Sequence, residues 1–342
     1  MLEKSTIYEV ARRSGVSTAT VSRVMRDGEG FSEATRQRVL GVAGELGWVP
    51  NGSARGLAER RVGIVGVLFP DLGKEEAAEN ESPLFVDQVI RGAERSATLA
   101  GDAVLIAATE GANGRALALS VAGKVDGLVV TARSLSSSDL AAVARSVPVV
   151  VLDAGAARRR YDAVLADNRG GTTAITQHLI DVHGHHDLAF VAGPARSPDS
   201  MQRFAGFQDA LTAAGRTAPD QPDGYGNFTE AGGRRAVEDL LAARRTPPRA
   251  IVFGNDEMAL GGLEALRTHK LRVPADVAVT GFDDIATARH VRPTLTTVRQ
   301  PMRQIGEEAV RILLNRQQDP TGKRTLLTLP VSLQVRRSCG CK

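Results

Sequence analysis

The sequence of 342 residues is poor in aromatic residues and has two cysteines. Phe, Trp and Tyr make up 4% of it, so aliphatic and alanine side chains must supply most of any core. Cys339 and Cys341 lie in a polar tail, which excludes a disulfide framework. No run of about 18 apolar residues occurs, so we expect no membrane span. Charged residues also stand where a signal peptide would be apolar, which indicates a cytoplasmic protein.

The net charge of +4 is unevenly distributed along the chain. The first 61 residues hold ten Lys or Arg against seven Asp or Glu. A basic excess concentrated in one small segment indicates a nucleic-acid partner more strongly than an excess spread over the whole chain. With 42% hydrophobic and 24% charged residues, the chain has a globular composition and a length suited to two or three domains.

Helical and strand patterns occupy different parts of the sequence. Residues 6–48 contain three short amphipathic helical patterns, whereas from Val62 short apolar runs alternate with helical stretches. This alternation predicts parallel sheets built from βαβ units. We expect two α/β lobes that divide near residues 163–168 and rejoin near 294–298. The predicted strands are Val62–Phe69, Val104–Ala108, Gly127–Thr131, Val147–Asp153, Leu188–Ala192, Ala250–Gly254 and Val277–Phe282.

The N-terminal segment has the pattern of a helix-turn-helix. Thr6 and Glu9 have the spacing of a capping box at the start of a first helix, which Gly15 ends. Ser17 can cap a second helix over residues 18–24. The second helix of this motif enters the major groove of DNA.

A third helix is predicted from Ser32 to about Leu46, closing a three-helix core with Trp48 behind it. Small polar side chains at the start of the second helix can approach base edges and thymine methyl groups. Arg23 on the same helix can reach guanine or phosphate. Taken alone, the segment is also compatible with a generic small helical bundle.

Three runs of residues resemble the lactose- and purine-repressor family of bacterial regulators. They are Ile7-Tyr8-Glu9-Val10-Ala11, the run GVSTATVSRV from Gly15 to Val24, and ELGWVPN from Glu45 to Asn51. The resemblance extends over essentially the whole chain. It implies an α/β fold class, with a small all-α headpiece before a two-lobed core of parallel sheets like that of periplasmic binding proteins. The implied domains are the headpiece 1–50, a hinge 51–61, a first lobe 62–164 plus 296–327, and a second lobe 165–295 plus 328–342.

The hinge segment reads NGSARGLAERR. Gly52 and Gly56 each cost a helix about 1 kcal/mol against Ala, so a flexible linker is one interpretation. The resemblance implies instead a hinge that becomes helical on the operator, where Leu57 is wedged into the minor groove and kinks the duplex. Gly56 departs from the family pattern. The candidate DNA-binding residues are Thr6, Tyr8, Ser17, Thr18, Ala19, Ser22, Arg23, Asn51, Ala54, Arg55 and Leu57.

Polar side chains follow the predicted strands of the second lobe, and α/β sheets bind ligands at such strand ends. By resemblance, Arg203, Asn255 and Asp283 match ligand-contacting positions, and Phe228 matches an aromatic that packs on the ligand ring. Carboxylates, amides, Arg and an aromatic face suit a sugar. Alternatively, Asp283 and its neighbour Asp284 only cap a turn. The candidate effector-binding residues are Phe69, Asp71, Phe85, Asp153, Ser197, Asp199, Arg203, Phe228, Asn255, Asp256 and Asp283.

Two groups of residues invite a metal interpretation, HGHH at residues 183–186 and CGC at residues 339–341. The histidines fall in a turn between a helix and a strand. The cysteines supply two ligands, whereas structural zinc usually takes four. We therefore expect no metal site. No phosphate-binding loop or dinucleotide motif is present, so we also expect no cofactor.

The sequence thus predicts a transcription regulator, most simply a repressor, that binds a palindromic operator as a homodimer. A small-molecule effector, by its chemistry a carbohydrate, would bind in the cleft between the lobes and either release or recruit the protein. A solute-binding protein with the same core would need a signal peptide and no headpiece. A sugar-metabolising enzyme would need a nucleotide loop or a catalytic base with its orienting partner. We expect no enzymatic activity.

Overall fold

The computed structural model describes residues 6–25, 28–48, 61–70, 83–109, 114–131, 133–152 and 155–342. These residues belong to two units, Met1–Gly63 and Ile64–Lys342. None of the helices in these ranges combines the length and apolar character that a bilayer crossing requires. Six candidate residues lie outside the described residues: Asn51, Ala54, Arg55, Leu57, Asp71 and Asp153.

The described part of the first unit contains three helices, α1 (Ile7–Ser14), α2 (Thr18–Val24) and α3 (Glu33–Glu45). Gly15 ends α1 with a φ of 67°, a left-handed conformation that glycine adopts without strain. The Ser17 hydroxyl caps α2 by accepting a hydrogen bond from the Thr20 amide at 3.1 Å. The two helices and the tight turn between them are therefore those of the predicted helix-turn-helix.

The predicted capping box is wrong at the start of α1. Thr6 stands at the N-cap position, but its hydroxyl accepts no capping hydrogen bond. The Glu9 amide, which the hydroxyl would have satisfied, donates instead to the Thr6 carbonyl at 3.0 Å. The main chain therefore closes the first turn without help from the side chain.

The core of this unit takes one or two valines from each helix. Val10, Val21 and Val39 are fully buried, and Val24 is nearly so. Trp48 packs against this cluster and is partly buried. The interhelical core predicted from residues 6–48 is present.

The first lobe of the second unit is built on a six-stranded parallel sheet. Its strands are β1 (Ile64–Pro70), β2 (Ala103–Thr109), β3 (Gly127–Thr131), β4 (Val149–Leu152), β5 (Asp162–Ala166) and β11 (Leu326–Leu329). They pair in the order β11-β5-β4-β3-β1-β2. Its helices are α4 (Pro83–Leu99), α5 (Gly114–Ala122), α6 (Ser137–Val143) and α11 (Met302–Gln318).

Both faces of this sheet are covered, which explains why its strands read as continuous apolar runs. Val129 and Val150 point to the face covered by α4 and α11. Their neighbours Leu128 and Val151 point to the face covered by α5 and α6. Side chains alternate between the two cores because successive residues of a strand face opposite sides.

The second lobe has a four-stranded parallel sheet in the order β7-β6-β8-β9, and a separate antiparallel pair β10-β12. Its strands are β6 (Leu188–Ala192), β7 (Gly224–Tyr225), β8 (Ala250–Phe253), β9 (Ala278–Thr280), β10 (Thr297–Arg299) and β12 (Ser332–Gln334). Its helices are α7 (Asn168–Asp181), α8 (Pro198–Ala213), α9 (Glu230–Ala243) and α10 (Asp256–Thr268). Short 3-10 turns occupy Ala156–Arg159, Ala286–Arg289 and Arg337–Cys339.

The chain passes between the lobes three times, from β5 to α7, from β10 to α11 and from β11 to β12. Because β10 pairs with β12, and because Thr296 just before β10 forms a bridge with Thr280 of β9, the second crossing follows Arg299. Because β11 pairs with β5, the third crossing follows Leu329. The strand pairing thus puts these two crossings slightly after residues 296 and 328, the positions predicted from sequence.

Candidate functional site

A cavity that is partly open to solvent lies between the lobes. It is lined by Phe85, Thr131, Arg133, Leu152, Ser197, Asp199, Arg203, Phe228, Asn255, Asp283 and Gln300. Both lobes contribute side chains, so a molecule in the cavity would touch both.

Arg203 on α8 is the buried cation of this cavity, with 5% of its surface exposed. Its Nε donates to Asn168 Oδ1 at 2.8 Å, and its Nη1 donates to the Gly254 carbonyl at 2.5 Å. Nη1 also lies 3.5 Å from Asp283 Oδ1. These contacts come from three separate segments and fix the guanidinium before any ligand enters.

Two aromatic rings flank the Arg203 guanidinium. Its central carbon lies 3.8 Å from the centroid of the Phe282 ring and 5.6 Å from that of Phe228. Gly193 leaves the room that Phe228 needs, since a Cβ at that position would be 2.2 Å from the ring. Phe228 itself has a φ of 63°. The ring is therefore held as an apolar face beside the Arg203–Asp283 pair.

Asp283 is the buried anion of the cavity and follows strand β9. Its φ of 124° is a left-handed value that non-glycine residues seldom adopt. Its Oδ1 accepts a hydrogen bond from Gln300 Nε2 at 2.6 Å. Burial raises the pKa of Asp283 to about 6, against the opposing charge of Arg203 and the Gln300 hydrogen bond. Strain and a shifted pKa in a cleft are typical of functional sites.

The neighbouring Asp284 has a different environment, although it shares the same turn. Its side chain is fully buried and pairs with Arg289, Arg299 and Arg336. Burial alone would raise the pKa of Asp284, but the hydrogen bonds from these three guanidinium groups lower it. Asp284 therefore anchors the turn, and Asp283 is the one that faces the cavity.

Three further lining residues are fixed at the starts of helices. Ser197 caps α8 by accepting from the Ser200 amide, and Asp199 Oδ1 accepts from Asn168 Nδ2 at 3.0 Å. Asn255 caps α10 through its Oδ1, while its Nδ2 donates to the Phe228 carbonyl at 3.0 Å. Asn255 thus helps to position the Phe228 segment as well as lining the cavity.

Of the predicted effector-binding residues that the structure describes, two do not line the cavity. Phe69 is 3% exposed and packs in the core of the first lobe, because strand alternation turns it toward α4 and α11. Asp256 is fully buried, and its two oxygens accept from Thr297 Oγ1 at 2.5 Å and from the Ile285 amide at 2.9 Å. Burial raises the pKa of Asp256 well above its ordinary value. Asp256 thus ties α10 to the segments before and within β10.

The sequence interpretation missed four lining residues: Thr131, Arg133, Leu152 and Gln300. It also missed Asn168, which bridges Arg203 and Asp199. All of them lie at or just after the carboxyl ends of parallel strands or of β10. The strand-end rule could have found them had it been applied to the first lobe and the crossings as well as to the second lobe.

The candidate DNA-binding residues of the first unit lie on or beside α1 and α2. Tyr8 is 75% exposed, and Thr6, Ser17, Ala19 and Arg23 are also exposed. Thr18 and Ser22 are half-buried. Since the valines of α2 point into the core, the predicted contact residues occupy its outer surface.

Comparisons with known proteins match both units. Residues 6–51 match the family described as "Bacterial regulatory proteins, lacI family", and residues 176–339 match a "Periplasmic binding protein-like domain". Catabolite control protein A of Priestia megaterium is 34% identical over 338 residues, covering 97% of this chain and 98% of that protein. The lac repressor dimer bound to operator and the anti-inducer ONPF is similar in structure, with a TM-score of 0.84, 29% identity, and 98% and 99% coverage. The CelR–cellobiose complex has a TM-score of 0.73, 32% identity, and 98% and 100% coverage.

Proposed function

The chain belongs to the lacI family of bacterial regulatory proteins, and from that premise we infer how it binds DNA and what controls it. It is a sequence-specific DNA-binding transcription regulator that acts as a repressor. Its relatives are regulators, and it is not an enzyme. We place its action in the cytoplasm, where operator DNA is found.

DNA recognition is assigned to α2, supported by α1. Exposed Ala19 and half-buried Thr18 begin the helix that would enter the major groove, with Arg23 one turn further on. A dimer would present two such helices about 34–36 Å apart, which suits a palindromic operator. We propose that these residues, together with the hinge residue Leu57, supply the sequence-specific contacts.

The effector is proposed to be a small carbohydrate. The observation that carries this proposal is the fixed Arg203–Asp283 pair beside the Phe228 ring in one interlobe cavity. A carboxylate and a guanidinium can accept from and donate to neighbouring hydroxyls, while an aromatic face covers the apolar side of a sugar ring. The likeness to a cellobiose complex supports the same class of ligand.

Control by the effector follows from the two-sided lining of the cavity. Phe85 and Thr131 belong to the first lobe, whereas Arg203 and Asp283 belong to the second. A ligand that bridges them favours one arrangement of the lobes, and it shifts DNA affinity by its difference in affinity for the two arrangements. Operator titrations with and without effector decide whether it releases or recruits the repressor.

We test the assignment with a thermal-shift panel of mono- and disaccharides, with purine bases as the contrasting class. Any stabilising compound is then titrated against the protein–operator complex by fluorescence anisotropy. Arg203→Ala should weaken effector binding about 10- to 150-fold, since hydrogen bonds to charged groups contribute about 1.5–3 kcal/mol. Operator affinity without effector should stay close to that of the wild type.

Arg196→Ala is the matched control, because Arg196 is exposed, precedes the same helix and does not line the cavity. It should respond to effector like the wild type. Circular dichroism verifies that both variants fold. An unchanged titration for Arg203→Ala would exclude the cavity as the effector site. Thermal stabilisation by purines alone would exclude a carbohydrate as the effector.

A further inference from the structure

Four side chains, two from early in the sequence of the second lobe and two from its last residues, lie close together near its surface. We call them the tail cluster: His178, His183, Cys339 and Cys341. One ligand atom from each lies within 4.8 Å of all the others. His178 is in the last turn of α7 and His183 is in the turn after it, while the cysteines flank Gly340 near the end of the chain.

Three of the six separations within the tail cluster are those of ligands around a shared ion, and all six are within 4.8 Å. Cys339 Sγ lies 3.5 Å from His178 Nε2, and Cys341 Sγ lies 3.6 Å from the same atom and 3.4 Å from His183 Nε2. A tetrahedral zinc with bonds of about 2.3 Å to sulfur and about 2.0–2.1 Å to nitrogen sets its sulfur and nitrogen ligands about 3.5 Å apart. All three of these separations are within 0.1 Å of that value.

The surrounding residues hold the ligands in this arrangement. Gly340 has a φ of 112°, and a Cβ there would lie 3.2 Å from the His183 ring, so glycine is needed between the cysteines. Cys339 is 1% exposed, and the buried Thr296 hydroxyl donates to its sulfur at 3.1 Å. A donor of this kind orients a thiolate ligand from outside the metal's own coordination shell.

We propose that the tail cluster binds one zinc ion through two thiolates and two imidazoles. This donor set and geometry select zinc among the common divalent ions, and four protein ligands leave no open position, so the site is structural. The two thiols give up their protons to solvent when the metal binds. The expectation of no metal site arose because 155 residues separate the two ligand pairs in sequence, and the fold brings them together.

A zinc ion here would fasten the C-terminal tail to the end of α7. The tail already forms hydrogen bonds and an ion pair with segments beside the effector cavity. Ser338 Oγ donates to the Val279 carbonyl at 2.6 Å and accepts from the Thr296 amide at 2.8 Å, and Arg336 pairs with Asp284. Metal loss should therefore loosen the turn that carries Asp283 as well as the tail itself.

The first test measures metal in the full-length protein, purified under reducing conditions without a metal-affinity tag. Mass spectrometry of the elements should find about one zinc per chain, the stoichiometry of a single four-ligand site. Cys341→Ser and His183→Gln should lose it. His186→Gln should keep it, because His186 lies in the same turn but outside the cluster.

The second test begins with a measurement on the wild type alone, so misfolding of a variant cannot obscure it. Cobalt added to the chelator-treated wild type should give the intense visible bands of a tetrahedral ion and a thiolate charge-transfer band in the near ultraviolet. Chelator should also lower the wild-type melting temperature and leave that of Cys341→Ser unchanged. The proposal is overturned by wild-type protein that binds neither ion, by octahedral cobalt spectra, or by variants that retain a full complement of zinc.

Discussion

Asp283 should make the protein less stable as the pH rises through the range in which this side chain ionises. In the folded protein the pKa of Asp283 is about 6 against an ordinary value of 3.8, with burial as the main cause. Because the folded pKa is the higher one, the folded state binds the proton more tightly. The stabilisation is therefore complete below pH 3.8 and is lost as the pH rises through about 6.

The size of the effect follows from the two pKa values. A pKa difference of about 2 amounts to about 3 kcal/mol over the full titration, at about 1.4 kcal/mol for each pH unit. Between pH 4.5 and 7.5 the free energy of unfolding should fall by about 2 kcal/mol on account of this group. Asp283→Asn imitates the protonated carboxyl, so it should remove this part of the pH dependence.

Urea titrations of wild type and Asp283→Asn at the two pH values measure the difference, with far-ultraviolet circular dichroism reporting mainly on the core. Fluorescence reports separately on the headpiece, since Trp48 is the one tryptophan of the chain. Asp276→Asn is the control: the pKa of Asp276 is about 2, lowered by its hydrogen bonds with Arg272, so its charge is constant over this range. Parallel pH dependence of wild type and Asp283→Asn would refute the reasoning. If Asp283→Asn also abolishes the effector response, Asp283 is retained for binding at a cost in stability.

Two further predictions concern DNA. Replacing Thr18 and Ala19 together should change the preferred half-site, with each lost base contact costing about 1–3 kcal/mol; selection from random oligonucleotides checks this, and recovery of the wild-type site would contradict it. Leu57→Ala should weaken binding to the operator and reduce its bend while leaving affinity for random DNA nearly unchanged, because Leu57 supplies no charge to the phosphates. Both DNAs are compared at one salt concentration, and an unchanged affinity and bend angle would make the hinge segment a passive tether.

Two of the buried strands are the part of the fold that sequence reasoning predicts most accurately. The bounds predicted for β3 and β6 are those of the structure, because each is an uninterrupted apolar run in a sheet covered on both faces. The sequence indicates the region of β5 only as the boundary between the lobes. The two-residue strand β7 left no apolar pattern to detect, and its pairing with β6 is a consequence of tertiary structure.

For the candidate site, residue type and strand position together predicted Arg203 and Asp283 on the cavity wall. For Asp256, position alone gave a wrong prediction of a place on the cavity wall, because the first residue of a helix after a strand can point into the domain as well as out of it. The link from Asn168 to Arg203 joins two helices, and no local pattern encodes it. The tail cluster shows the same limit at greater range, because its two halves fall in a turn and in the last residues of the chain.

The order in which the chain visits the lobes has a consequence for its synthesis on the ribosome. The first five strands of the first sheet are made early, but α11, which supplies Val310 and Leu313 to one face, is made after residues 168–299 of the other lobe. At about 5–20 residues per second, the part of that face which α11 covers stays exposed on the nascent chain for on the order of ten seconds, while α4 is already available to cover the rest. A premature stop before α11 would leave that part exposed permanently. Such a fragment should aggregate or be degraded, so shortened transcripts of this gene should yield no usable sensor domain.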